Sequence, residues 1–178
     1  MANTLTLIET QTLTSGNASI TFSSIPNNYA DLYLACSLRG DKTEFNDYIK
    51  IQFNNDTTSG NYIGQIALFG STIVGVSDVI STTFATASKS FYGGEIPGTT
   101  VIANNFSITS IYISDYSGAN YKNYISSSGI VGNSNTGYQS YANGKWTSTN
   151  AISTIKLETA GGSNLITNCS VSLYGISK

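Results

Sequence analysis

The feature that most limits what this chain can become is alternation. Apolar and polar residues trade places with a period of two. The clearest case is DLYLACSL, where Leu32, Leu34, Cys36 and Leu38 fall on one side and Asp31, Tyr33, Ala35 and Ser37 on the other. Successive side chains of a strand point to opposite faces, so this pattern describes a strand with one buried face. Ala18, Ile20 and Phe22 share a face in the same way, and Ile49, Ile51 and Phe53 alternate with Lys50 and Gln52. Further strands are expected at Leu5 and Leu7, at Ile66 and Leu68, over residues 79–84, up to Phe91, over 121–130, over 152–157 and from Cys169 to the end. Phe106 with Ile108 and Ile111 with Ile113 form two in-phase pairs separated by a shift, which suggests a β-bulge.

Turn chemistry separates these runs. Pro26-Asn27-Asn28 combines a fixed φ with residues that tolerate tight geometry. Residues 54–61 form a polar loop, residues 115–120 a hairpin loop, and Gly93-Gly94 the end of an element. No window sustains apolar spacing at i, i+3, i+4 and i+7, and one helical turn over residues 41–47 is the most helix the sequence allows. Eight to ten short strands at this spacing predict an all-β protein, a sandwich or a barrel, in one domain over residues 1–178. Residues 1–15 read as an arm or an edge strand. The last strand, running to the end of the sequence, is expected inside a sheet rather than as a frayed tail.

Charge narrows the partners. There are eight basic and ten acidic residues, a net charge of −2. The basic residues, seven Lys and Arg39, stand singly, whereas phosphate-dominated binding of nucleic acid needs clustered positive charge. No apolar run approaches the roughly eighteen residues of a membrane span. The opening MANTLTLIET has neither a basic region nor a continuous apolar stretch, so synthesis in the cytoplasm is expected. Ser, Thr and Asn make up about a third of the chain, giving a surface that is polar but almost uncharged.

Residues able to do chemistry are scarce. Histidine is absent, which removes the commonest general base, the usual zinc ligand and any Ser-His or Cys-His arrangement. No catalytic residue, cofactor or metal is expected. Asp41, Glu44 and Asp47 in RGDKTEFNDY, with Asp56 in the next loop, could form a carboxylate pair or a calcium site, but read first as solvated charge beside Lys42 and Lys50. Arg39-Gly40-Asp41 reads as a turn ending a strand, with Gly40 supplying backbone freedom, ahead of a displayed recognition tripeptide. Cys36 and Cys169 sit at inward positions of their strands; they could pair if those strands are neighbours, but read first as buried small apolar side chains. Tyr116, Tyr121, Tyr124, Tyr138, Tyr141 and Trp146 are interleaved with Asn, Ser and Gly. They divide between strand packing, a protein interface and a glycan-contact surface.

Six segments occur in order: ITFSSIP (20–26), DLYLACSLRG (31–40), IQFNNDTTSGNY (51–62), IYISDYSGANYKNY (111–124), TNAISTIKL (149–157) and SVSLYGI (170–176). Together they resemble a family of small virion structural proteins of tailed bacteriophages. The similarity spans nearly the whole chain, and residues 70–101 depart from it most. The resemblance implies a jelly-roll-like antiparallel β-sandwich on the particle surface, with no catalytic residues to carry over. A capsid decoration (cement) protein is expected first, contacting major capsid protein or other virion proteins, as a homo-oligomer with a trimer favoured. A tail-fibre or baseplate module contacting host surface glycan is the alternative, and a glycan-degrading enzyme is a distant third.

Overall fold

The computed structural model describes residues 4–72, 78–132 and 136–177. Among these the chain forms twelve strands and no helix: β1 (Leu5–Thr12), β2 (Ser19–Phe22), β3 (Asp31–Leu38), β4 (Asn46–Phe53), β5 (Tyr62–Thr72), β6 (Asp78–Ser88), β7 (Phe91–Pro97), β8 (Ser107–Ser114), β9 (Lys122–Val131), β10 (Thr136–Trp146), β11 (Ile155–Thr159) and β12 (Ser170–Ile176). They make two antiparallel sheets. The larger has the order β1-β12-β3-β8-β9-β10-β5-β6, the smaller β2-β11-β4-β7. Of the sandwich and the barrel that the alternation leaves open, this is the sandwich.

The pairing is nested. β4 pairs with β7, β3 with β8, β2 with β11 and β1 with β12, as if one long hairpin had been rolled so that successive pairs lie in alternate sheets. β12 then bonds β3, and β11 bonds β4, to complete each sheet. Two hairpins stand outside the nest, β5–β6 and β9–β10, and both add to the larger sheet, which therefore extends beyond the smaller one. The last strand lies between β1 and β3, inside a sheet as expected, and β1 is an edge strand bonded to its own chain.

The core fills the space between the sheets. On β3, Leu32, Leu34, Cys36 and Leu38 are buried, and Ile49, Ile51 and Phe53 face them from β4. Phe53, Tyr62, Phe91, Tyr124 and Trp146 form an aromatic cluster, with Phe91 at 4.0 Å from Tyr124 and 4.9 Å from Tyr62 between ring centroids. Each such ring contributes on the order of 1.5–3 kcal/mol by leaving water. Lys122 is buried at the start of β9, where its Nζ donates to the carbonyls of Gly118 (2.7 Å) and Asn120 and so braces the β8–β9 loop.

Four local expectations change. Residues 41–45 hold no helical turn, because their backbone groups bond distant partners: Asp41 N to Asn164 O, Gly98 N to Phe45 O and Thr99 N to Lys42 O. Gly93 and Gly94 lie inside β7 instead of ending an element, at a register shift between Ile49 and Lys50 of β4. β8 runs in unbroken register with β3 and β9, so there is no bulge there. Ile108 points to solvent, 82% exposed, while Ile111 and Ile113 point inward. Gly40 has no positive φ, and its smallness rather than its freedom is used: a Cβ would lie 3.3 Å from Ile96 Cδ1. The unclear boundaries around residues 70–77 fall partly on 73–77, outside the described residues.

Candidate functional site

The structure separates the six aromatics of the Tyr/Asn-rich region. Three are interior pins. Tyr116 is fully buried and its hydroxyl donates to Pro26 O. Tyr124 is buried against Phe91 and donates to Tyr92 O at 3.0 Å. Trp146 is buried and its Nε1 donates to Asp56 Oδ2 at 2.7 Å. None of the three lies on the outer face, because the strand pattern of β9 and β10 turns Tyr124 and Trp146 inward, and Tyr124 lines a cleft described below. Tyr138 is half-buried beside Phe45, 5.3 Å between centroids. Tyr121, with Lys145 Nζ 5.6 Å from its ring, and Tyr141, which packs on Phe69, are exposed.

The acidic residues do not assemble into one site. Asp41 is exposed and accepts from Asn164 N at 2.7 Å, and Glu44 pairs with Lys42 at 2.9 Å on the surface. Asp47 is buried and accepts from Ser163 Oγ at 2.7 Å. Asp56 sits under Trp146. Burial pushes its carboxyl up, but hydrogen bonds from Asn61, Thr58 and Trp146 outweigh this and hold it down at about 2. No group of three or more Cys, Asp or Glu able to hold a metal ion occurs among the described residues. Arg39 of the RGD tripeptide is buried, donating to the carbonyls of Val101 (2.8 Å), Ile102 (2.7 Å) and Asn105 (2.9 Å), so it is not displayed. Cys36 and Cys169 are both buried and both free thiols.

Two surfaces remain. The first is the outer face of the larger sheet. Its register lines up Leu7, Tyr174, Tyr33, Tyr112 and Ile125 across five strands, continued by Asn143 and Gln65 on the next two. Leu7 and Ile125 are exposed, at 54% and 59%, and Tyr33 lies 6.3 Å from Tyr174 between ring centroids. The neighbouring row runs Thr10, Ser172, Ala35, Ser110, Ser127, Tyr141, with Thr10 Oγ1 2.8 Å from Ser172 Oγ and Ser110 Oγ 2.9 Å from Ser127 Oγ. Neither row contains a charged residue. Seven strands at about 4.8 Å spacing make this face about 29 Å wide. The stripe joins Tyr33, Tyr112 and Tyr174, which lie far apart in sequence, so no local motif marks it. The signal available was the polar half of each alternation, where a Tyr replaced the usual Ser or Thr.

The second surface is a cleft of about 580 Å³ between the β4–β7 edge of the smaller sheet and β5 of the larger one. Glu95 of β7, which the sequence reading missed, lines it. Its carboxylate accepts from Tyr92 Oη at 2.5 Å and from Asn46 Nδ2, and it is only 3% exposed. Burial pushes the Glu95 carboxyl above its ordinary range, partly offset by those two hydrogen bonds. The available clue was a lone carboxylate in the otherwise uncharged strand FYGGEIP. Tyr48 stacks on Tyr92 with centroids 5.3 Å apart and planes 29° from parallel.

Compared with protein-family models, with curated proteins and with solved structures, the chain matches none. What the geometry defines is a two-sheet antiparallel sandwich with one broad outer face, crossed by two uncharged rows, and one polar, aromatic-rimmed cleft.

Proposed function

We propose that this chain is a non-enzymatic structural protein of a bacteriophage particle, a capsid decoration protein that binds the outer capsid surface and reinforces it. The observation that carries the reading is the nested strand order. With β5–β6 and β9–β10 set aside, eight strands lie as β1-β12-β3-β8 and β2-β11-β4-β7. We read this order as that of a jelly roll, an architecture used in viral capsid and lectin domains. The two extra hairpins widen the larger sheet beyond the smaller one, and the two uncharged rows across its outer face suit contact with major capsid protein or with further copies of this chain. Aromatic and apolar side chains at the centre of such a contact supply most of its binding energy, and uncharged polar neighbours cost little to desolvate. Repeated weak contacts across a particle then add through effective concentration.

The test is binding of purified protein to undecorated phage heads and, in parallel, to intact host cells. Saturable binding to heads at a fixed stoichiometry, lost in Ile125→Lys and Leu7→Lys, is the expected result. Binding to cells alone would replace this reading with a tail-fibre or baseplate module that recognises host glycan. Light scattering of the free protein checks the favoured trimer.

A further inference from the structure

We infer that the cleft between β7 and β5 binds an uncharged saccharide, with a sugar ring lying against Tyr48 and hydroxyls donated to Glu95. This holds whether the chain sits on a head or a tail, and it uses a surface separate from the outer face of the larger sheet.

The argument starts from size. About 580 Å³ lies inside the range of roughly 300–1,000 Å³ in which small-ligand pockets fall. Charge then narrows the ligand. Lys42 and Lys50 stand on the wall together with Glu44, Asp47 and Glu95, so neither sign prevails. Lys42 is already paired with Glu44. An anion would meet the buried carboxylates, and a cation would meet the lysines. A neutral ligand rich in hydroxyls avoids both conflicts, because each hydroxyl donates once and accepts twice.

The lining supplies what such a ligand needs. Glu95 is held from two sides by Tyr92 and Asn46, which fixes its direction. A carboxylate offers about four lone-pair positions, so these two donors leave room for sugar hydroxyls. Lys50 and Asn46 of β4 line the same cleft and add donors for sugar hydroxyls. Tyr48 is 41% exposed, and its ring is backed by Tyr92. The electron-rich face of such a ring attracts the weakly positive C–H face of a pyranose. A flat ring beside a preorganised acceptor is the combination that distinguishes a sugar from a purely apolar guest. The cavity on the outer face, by contrast, is lined mainly by apolar and glycine residues such as Phe69, Ile108, Gly129 and Val131.

Isothermal titration of the full chain with maltotetraose, cellotetraose and chitotetraose tests this. At least one is expected to bind with Kd between about 10 µM and 1 mM. Tyr48→Ala is expected to weaken that binding by about tenfold, and the near-isosteric Glu95→Gln by several-fold. Tyr141→Ala, on the outer face, is expected to leave it unchanged. Circular dichroism of each variant shows that the fold is kept. Absence of binding by all three sugars, or binding indifferent to both cleft variants, overturns the inference. Loss in Tyr141→Ala would also overturn it, by moving the sugar to the outer face. Head binding that survives Tyr48→Ala keeps this result separate from the decoration reading.

Discussion

Trp146 and Asp56 lock the end of β10 to the loop after β4: the indole Nε1–H donates to Asp56 Oδ2 at 2.7 Å, and the same oxygen accepts from Asn61 Nδ2 at 2.7 Å. Removing the acceptor strands a donor at the edge of the aromatic core. Asp56→Ala is therefore expected to lower stability by about 1–3 kcal/mol in urea unfolding at neutral pH. The pH dependence follows from the direction of the shift. The folded carboxyl sits at about 2, below its ordinary 3.8, so its stabilising contribution is complete above about pH 4 and is lost as the pH falls toward 2. The gap in urea midpoint between the native chain and Asp56→Ala should close over that window. A gap that persists at pH 2 would contradict the assignment.

Gly94 meets Ser128 at the free edge of β7. Its φ is +137°, and a Cβ there would stand 2.7 Å from Ser128 Cβ. The closeness serves a purpose, since Ser128 Oγ accepts from Glu95 N at 2.7 Å while Tyr124 Oη donates to Tyr92 O. Side chains of β9 thus satisfy backbone groups of an edge strand that would otherwise invite pairing with another chain. Gly94→Ala is expected to cost about 1–3 kcal/mol through backbone strain alone. It should also accelerate amide exchange at Glu95, measured by hydrogen–deuterium exchange. Unchanged protection at Glu95 would show that the Ser128 bond does not depend on this approach.

Packing decides which strands are legible in the sequence. Alternation on β3 and β4 is strict because one face of each is packed and the other is not, so both were legible. β10 was not anticipated as a strand, because its inward residues include Ser140, Ala142 and Gly144, too small to show a hydrophobic period. β8 misled in the opposite way. Ile108 is apolar yet faces solvent, and this alone produces the phase shift before Ile111 that mimics a bulge. The aromatic stripe and the Glu95 cleft depend on pairing between strands distant in sequence, and local pattern carries no record of such register.

β8 therefore offers an internal comparison. Ile111→Ala removes a fully buried side chain and is expected to cost about 2–5 kcal/mol. Ile108→Ala, three residues earlier on the same strand, should change stability by no more than about 0.5 kcal/mol. Equal losses at the two positions, in guanidinium unfolding, would restore the bulge and reject the continuous register.

Arg39 holds the segment before β8 by three carbonyls, those of Val101, Ile102 and Asn105, and no carboxylate takes part in these bonds. The planar fork matters more than the charge, since lysine cannot present donors in two directions from one rigid plane. Arg39→Lys is expected to lose about 1–3 kcal/mol, with buried carbonyls left short of donors. Limited proteolysis near residues 101–105 should quicken in the variant. A rate equal to that of the native chain would show that the segment is held by its other contacts.

Cys36 and Cys169 lie on neighbouring parts of the core and are both unreactive by placement. Burial alone pushes the Cys36 thiol up to about 12. Burial also raises Cys169, whose Sγ donates to Arg39 O and accepts from Arg39 N, both at 3.2 Å. The thiolate is the reactive form, so neither residue should react with iodoacetamide at about pH 8 while the chain is folded. Both should react at once in denaturant, and mass spectrometry counts the adducts. Because Cys169 is tied to the Arg39 backbone, Arg39→Lys should expose it before Cys36 if loosening spreads inward from that segment. Simultaneous labelling would mean instead that the core opens as one unit.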